Sequence, residues 1–233
     1  PEMSRGLGDV YKRQDPSSLA IFGVRGANGV IIITTKKAKE GQTRVNINTS
    51  FGWKSVVDKI AMTNADQFKE LYNEQLTNEE TALFDFSNWN ANTDWQDEIF
   101  QNGFITNNNI SITGASEKHS FYLGVGYSHE QGNIKHEKFS KVTINASNEY
   151  KLTDFFKVGF QLNGARILPA DAKQVLGAIR TTPVAPVYNT EYGLYTALPE
   201  FQKAQMNNPM VDVDLKANTT KAKNYRASGS IYG

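Results

Sequence analysis

Residues 19–37 read LAIFGVRGANGVIIITTKK. Three glycines (Gly23, Gly26, Gly29) and Arg25 lead into a β-branched run, Val30-Ile31-Ile32-Ile33-Thr34-Thr35, that ends at Lys36-Lys37. Glycines at this density mark backbone that turns sharply or passes close to other backbone. A β-branched run closed by two lysines predicts a short buried strand ending at water. The order is therefore a helical turn or tight loop, a glycine hinge, then a strand. A nucleotide-binding loop reverses that order, because its glycines follow a strand and open a helix, so the context argues against a phosphate site.

C-terminal to this stretch, the charged residues 36–42 form a linker. The chain then alternates apolar and polar residues. In 43–54, Val45, Ile47, Thr49, Phe51 and Trp53 share one face, a half-buried strand of the roughly 9–11 residues that cross a bilayer when tilted. The same period returns in 104–114 (Phe104, Ile110, Ile112), 120–130 (Phe121, Leu123, Val125, Tyr127), 139–150 (Val142, Ile144, Ala146, Tyr150), 155–166 (Phe156, Val158, Phe160, Leu162) and 223–233. A helix is predicted over 63–76, with Thr63 and Asp66 as a capping-box-like start and Phe68, Leu71 and Tyr72 as the apolar stripe. One or two helical turns are expected over 93–100, with Thr93 capping, and a brief helix over 172–179. Connections run long (55–103), short (115–118), medium (131–138), short (151–154) and long (167–221). Transmembrane barrels show this asymmetry, with short periplasmic turns and long extracellular loops.

Ala20–Lys36, AIFGVRGANGVIIITTK, resembles the end of the plug domain in the SusC/RagA family of TonB-dependent outer-membrane transporters. Asn92–Phe100, NTDWQDEIF, resembles a segment this family carries early in its barrel. The resemblance covers about residues 15–233. It implies an all-β fold: about six strands of a transmembrane antiparallel barrel of about 22, preceded by the end of a plug, with short helices in an extracellular loop. Residues 15–42 would be plug and linker, and 43–233 the first part of the barrel, truncated. Gly23, Arg25, Gly26, Asn28 and Gly29 would form a structural or gating motif, with Arg25 pinning plug to barrel wall by charge-assisted hydrogen bonds. Phe121, Leu123, Val125, Val142, Ile144, Phe156, Val158 and Phe160 would face outer-membrane lipid. The resemblance further implies import of glycan oligosaccharides or peptides without catalysis, in the outer membrane of a Gram-negative bacterium. The partners would be a SusD-like surface lipoprotein and a TonB–ExbB–ExbD complex engaged through a segment N-terminal to the plug. Six strands cannot close, since barrels have about eight or more. Residues 1–14, PEMSRGLGDVYKRQ, replace the family's apolar, acidic-ended strand and are expected to be non-native, as in translated adapter sequence, the alternative being a divergent surface loop. No basic-then-apolar leader is visible, so the native N-terminus is expected upstream.

Composition bounds the chemistry. Net charge is +1, from 25 basic and 24 acidic residues well mixed, so nothing calls for nucleic acid. Cysteine is absent, which removes disulfides and thiolate metal sites. His119, His129 and His136 lack metal-ligand spacing and read as solvated. Asp212-Val213-Asp214 lacks the oxygens and glycine of a calcium loop and reads as a solvated loop charge pair. Asp94, Asp97 and Glu98 are explained by a helix start, where carboxylates are favoured. No nucleophile–base signature occurs, so no catalytic residue, metal or cofactor is expected, and substrate-contact residues stay unassigned. The alternative reading is a soluble or surface β-sandwich module that binds carbohydrate. The glycine-rich stretch and the one-sided loop lengths disfavour it. A hydrolase ranks third, lacking a catalytic pair.

Overall fold

The computed structural model describes residues 9–13, 30–34, 40–170, 175–219 and 222–233. Six strands form one antiparallel sheet: β3 (Arg44–Lys54), β4 (Gly103–Ala115), β5 (His119–Gln131), β6 (Lys138–Lys151), β7 (Lys157–Leu168) and β10 (Asn224–Tyr232). Their spatial order, β10-β7-β6-β5-β4-β3, follows the chain without a crossover. A separate pair, β1 (Asp9–Arg13) and β2 (Val30–Thr34), is antiparallel, and residues 188–189 and 194–195 form a small hairpin, β8–β9. The helices are α1 (Ala65–Asn78), α2 (Trp95–Ile99), α3 (Val175–Arg180), α4 (Glu200–Lys203) and α5 (Pro209–Thr219). No helix among the described residues is long and apolar enough to cross a membrane.

Side chains alternate across a pleated strand, so the ladder register sorts them into faces. One row across the sheet reads Val45, Ile112, Leu123, Ala146, Leu162, Gly229. The next on that face reads Ile47, Ile110, Val125, Ile144, Gly164, Ala227. The opposite face carries rows such as Asn46, Ser111, Gly124, Asn145, Asn163, Ser228, and Asn48, Asn109, Gly126, Thr143, Ala165, Arg226. Gly126 shows why that face interrupts its polar rows with glycine: the side chains of Asn109 and Thr143 lean over it from both neighbours, each within 2.6 Å of where a Cβ would stand. On the apolar face, Leu123, Val125, Val142, Ile144 and Phe160 are 43–48% exposed, and Phe121 and Val158 are half-buried. Strands of 12–14 residues in the sheet's centre are about 40–47 Å long, so at a barrel tilt they overrun the roughly 25 Å apolar band at both ends.

No strand of this sheet contributes to the buried hydrophobic set among the described residues. That set lies in the connections at one end: Trp95, Ile99, Ala178, Ala185, Leu198, Met210 and Val213, with Trp89, Val187 and Met206 among those packed against it. The other end has only short turns. Ser116 N–H closes one onto the His119 carbonyl (2.7 Å), and Leu152 N–H closes the other onto the Phe156 carbonyl (2.9 Å).

Several expectations are corrected in detail. The β7 strand begins at Lys157, so Phe156 belongs to the turn that precedes it. Helix α1 is capped by Asn64, not Thr63: the Asn64 side chain accepts from Gln67 N–H (2.9 Å) and the Gln67 side chain accepts from Asn64 N–H (3.0 Å), with Asp66 outside this box. Asn and Gln complete the reciprocal geometry that Thr63 and Asp66 stand one residue out of phase to make. Of the predicted stripe, Leu71 points to solvent at 60% exposure, whereas Phe68 and Tyr72 stack on each other and on Phe201. The 167–221 connection is not irregular, because it holds α3, α4, α5 and the β8–β9 hairpin.

Gly103 starts β4 against the carbonyl of Gln131, and any Cβ there meets that oxygen and the Gly132 backbone. Gly52, across the same sheet, has only Ile105 Cγ2 nearby, at an ordinary 3.5 Å. Gly103→Ala in the full-length protein is expected to lower the urea midpoint of folding in detergent by the equivalent of about 1–3 kcal/mol. Gly52→Ala should leave the midpoint near the wild-type value.

Candidate functional site

The loops at one end of the sheet are held together by a short strip of sequence. Asp94 is the N-cap of α2, its carboxylate accepting from Gln96 N–H (2.9 Å) and Asp97 N–H (3.2 Å). Thr93 does not cap. Instead its N–H donates to the Pro183 carbonyl (2.8 Å) and its hydroxyl to the Ala185 carbonyl (2.7 Å). Trp95 Nε1–H donates to the Thr182 carbonyl (2.8 Å) while its ring fills the loop core. These three donors grip the carbonyls of Thr182, Pro183 and Ala185, in a segment about 90 residues away, which suits a β-extended approach into a helix start. The buried Gln96 amide turns the other way. It accepts from Ile60 N–H (3.1 Å) and donates to the Ile60 carbonyl (2.7 Å), anchoring the segment that leaves β3. Thus the NTDWQDEIF segment docks both long connections.

Beside this strip lies an open cleft of about 620 Å³, lined among others by Lys59, Met62, Phe68, Asn92, Arg180 and Thr182. Its wall is mixed polar and apolar. Lys59 is ion-paired with Asp97. On its flank, Phe68, Tyr72, Phe84, Phe86 and Phe201 form an aromatic cluster that ties α1 to α4; the closest ring pair, Tyr72–Phe201, has centroids 4.6 Å apart.

A second polar array links the medium loop 132–137 to α5 and the hairpin. His136 Nε2 stands 2.8 Å from Asp214 Oδ1. The Tyr195 hydroxyl donates to the other oxygen of Asp214, and the Tyr188 hydroxyl donates to Tyr195 (3.0 Å). Partial burial first, then the carboxylates of Asp214 and Glu98, hold the Tyr188 phenol above its ordinary pKa, so it keeps the proton it donates. Asp212 and Asp214, expected as a solvated loop pair, therefore lie in a helix, and Asp214 is engaged from two sides. His136 is exposed, as expected, and its ring also pairs with Asp214. His119 stacks on Tyr150 (4.1 Å) and meets Asn148 (3.2 Å), and His129 lies within β5.

The acidic set proposed from sequence is fully employed: Asp94 caps, Asp97 pairs with Lys59, and Glu98 lies 3.8 Å from Lys135. No group of three His, Asp or Glu side chains that could hold a metal occurs among the described residues. Gly23, Arg25, Gly26, Asn28 and Gly29 lie outside the described residues. The loop core and its Thr182–Ala185 acceptors were not singled out from sequence. The apolar runs around Val184 and Met210 were the available signal, hidden by prolines that read as irregular chain.

No family model matches the chain. TonB-dependent receptor P26 of Formosa agariphila is 32% identical over 238 aligned residues, covering 98% of this chain and 23% of that receptor. TonB-dependent receptor SusC of Bacteroides thetaiotaomicron is 32% identical, over 76% of this chain and 18% of its own length. Among solved structures, a chain of the RagAB peptide importer in its 'open-open' state matches with a TM-score of 0.64 at 20% identity, covering 86% of this chain and 27% of that one. The mostly antiparallel sheet with few helices is similar in fold to that chain, and the curated relatives are named as receptors, not enzymes. The chain belongs to the SusC-like family of TonB-dependent receptors. It spans less than a quarter of the length of the curated relatives it matches.

Trp95 combines the largest buried ring of the loop core with a cross-loop hydrogen bond. Trp95→Ala is expected to cost the loop cluster about 3–5 kcal/mol, seen as faster limited proteolysis within 175–215. Trp95→Phe, which leaves the Thr182 carbonyl without this donor, should cost about 1–3 kcal/mol.

Proposed function

We propose that this chain is the plug end and first barrel strands of a TonB-dependent outer-membrane transporter. In this reading, residues 15–42 belong to the plug and 43–233 to a barrel that further strands complete. The observation that carries it is a sheet with an exposed apolar face, an Asn- and Ser-rich opposite face and, among the described residues, no partner layer on either. Hydrocarbon cannot hydrogen-bond backbone, so a sheet that meets lipid must have every strand paired, and closure alone achieves that. The apolar face, with Phe121, Leu123, Val125, Val142, Ile144, Val158 and Phe160, meets lipid, and Phe156 anchors its periplasmic turn. The polar face lines the lumen. The long loops, with their helices, lie outside and face a SusD-like lipoprotein lid. Gly23, Arg25, Gly26, Asn28 and Gly29 shape the plug segment that rearranges when substrate binds and the TonB–ExbB–ExbD complex pulls. The cargo is a glycan oligosaccharide or a peptide, too large for a porin. Transport works by gating rather than by bond chemistry.

The soluble β-sandwich reading requires a second sheet over the apolar face. Among the described residues the buried core sits in the loops instead, which favours the barrel.

The full gene product should fractionate with outer membranes and run as a compact, heat-modifiable band in unboiled samples; recovery as a water-soluble monomer would defeat the proposal. Val125→Arg, on the row shared by Ile47, Ile110 and Ile144, should cost about 2–4 kcal/mol of stability in liposomes, the price of a cation near the bilayer midplane. Ser128→Arg on the opposite face should fold nearly as well as wild type.

A further inference from the structure

We propose that the loop end of the apolar face binds the phosphate groups of an anionic outer-leaflet glycolipid, through Lys138 and Arg166. The inference rests on the barrel reading above and adds a ligand site to its outer surface.

The register carries it. Across β3 to β7 and β10, the apolar face contains no Asp or Glu. The strand carboxylates Glu130 and Glu149 fall on the opposite face, as do Arg44, Lys141, Lys157 and Arg226. The only Lys or Arg residues on the apolar face are Lys138 and Arg166. Both stand toward the end that bears the long loops, Arg166 one row and Lys138 three rows past the row of Ile47, Ile110, Val125 and Ile144. Arg166 shares a row with Val142, Tyr127 and Tyr225, and Lys138 stands opposite Gln131. Both side chains are exposed, and no ion pair among the described residues uses either.

Spacing suits two anionic groups on one molecule. Arg166 pairs with Val142, and Lys138 is four residues further along β6, which sets their Cα atoms about 14 Å apart. His129, opposite Ser140, occupies the row between them. Tyr225 stands opposite Arg166, Tyr127 shares its row, and Gln131 stands opposite Lys138, aromatic and amide groups that suit the sugar and acyl junction of a headgroup. Two cations toward the border of an apolar band, on a sheet face whose strand positions carry no carboxylate and with no ion pair among the described residues, complement a doubly phosphorylated headgroup rather than a zwitterionic one.

The test uses the full-length protein in nanodiscs of phosphatidylcholine, titrated with a bisphosphorylated glycolipid from lipopolysaccharide, with its dephosphorylated form, or with inorganic phosphate. Wild type should bind the phosphorylated glycolipid and not the other two. Binding should weaken about 5-fold for Lys138→Gln or Arg166→Gln and about 30-fold for the double variant. Lys141→Gln, on the opposite face, should leave this binding unchanged. Equal affinity of wild type and double variant, or no preference for the phosphorylated form, overturns the headgroup site while the barrel reading stands. Equal affinity for inorganic phosphate overturns the lipid as ligand. Failure of the full-length protein to enter the bilayer overturns both.

Discussion

Backbone pairing is the constraint on which this chain depends. Strands β4 to β7 are hydrogen-bonded on both sides, while β3 and β10 each pair with a strand on one side only among the described residues. Unpaired strand edges are sticky in water and intolerable in hydrocarbon. The sheet specifies its own register with 9–13 paired positions per ladder, and in the proposed barrel its two edges would be paired by neighbouring strands.

The same constraint explains where the hydrophobic core is. A sheet whose two faces meet different surroundings has no face to spare for a conventional core. Its apolar residues are spread over one face and its polar ones over the other. The long connections must then hold themselves together. They do so with a compact cluster around Trp95, Ile99, Leu198 and Met210, and with donors from Thr93 and Trp95 reaching the 182–185 carbonyls. Loop order and sheet order thus have separate sources, and local opening of one need not open the other.

Legibility from sequence followed the period of each element. The alternation in 43–54, 104–114, 120–130 and 139–150 marked β3 to β6 to within a few residues, because a half-exposed strand writes its faces directly into the chain. The α1 and α2 helices were also visible, but their caps were misassigned. Asn64 and Asp94 won over Thr63 and Thr93 because cap choice depends on which neighbouring amide is free, and Thr93 was already committed to Pro183 and Ala185. The 167–221 connection was the least legible. Its helices are short, its prolines resemble loop punctuation, and its stability comes from contacts with residues 89–100 that lie far away in sequence. The same holds for Asp214, whose partners His136, Tyr188 and Tyr195 come from two other elements.

The two long connections meet although three strand-to-strand steps, β4 to β7, lie between their points of departure. Contact between α2 on one side and α3 and α5 on the other is shorter than the path along the sheet, so it works like a drawstring. It favours a sheet that curls at that rim over one that lies flat. In the proposed barrel, curl of this kind is what a growing cylinder would need before its last strand arrives, biasing each newly added strand toward closing the ring.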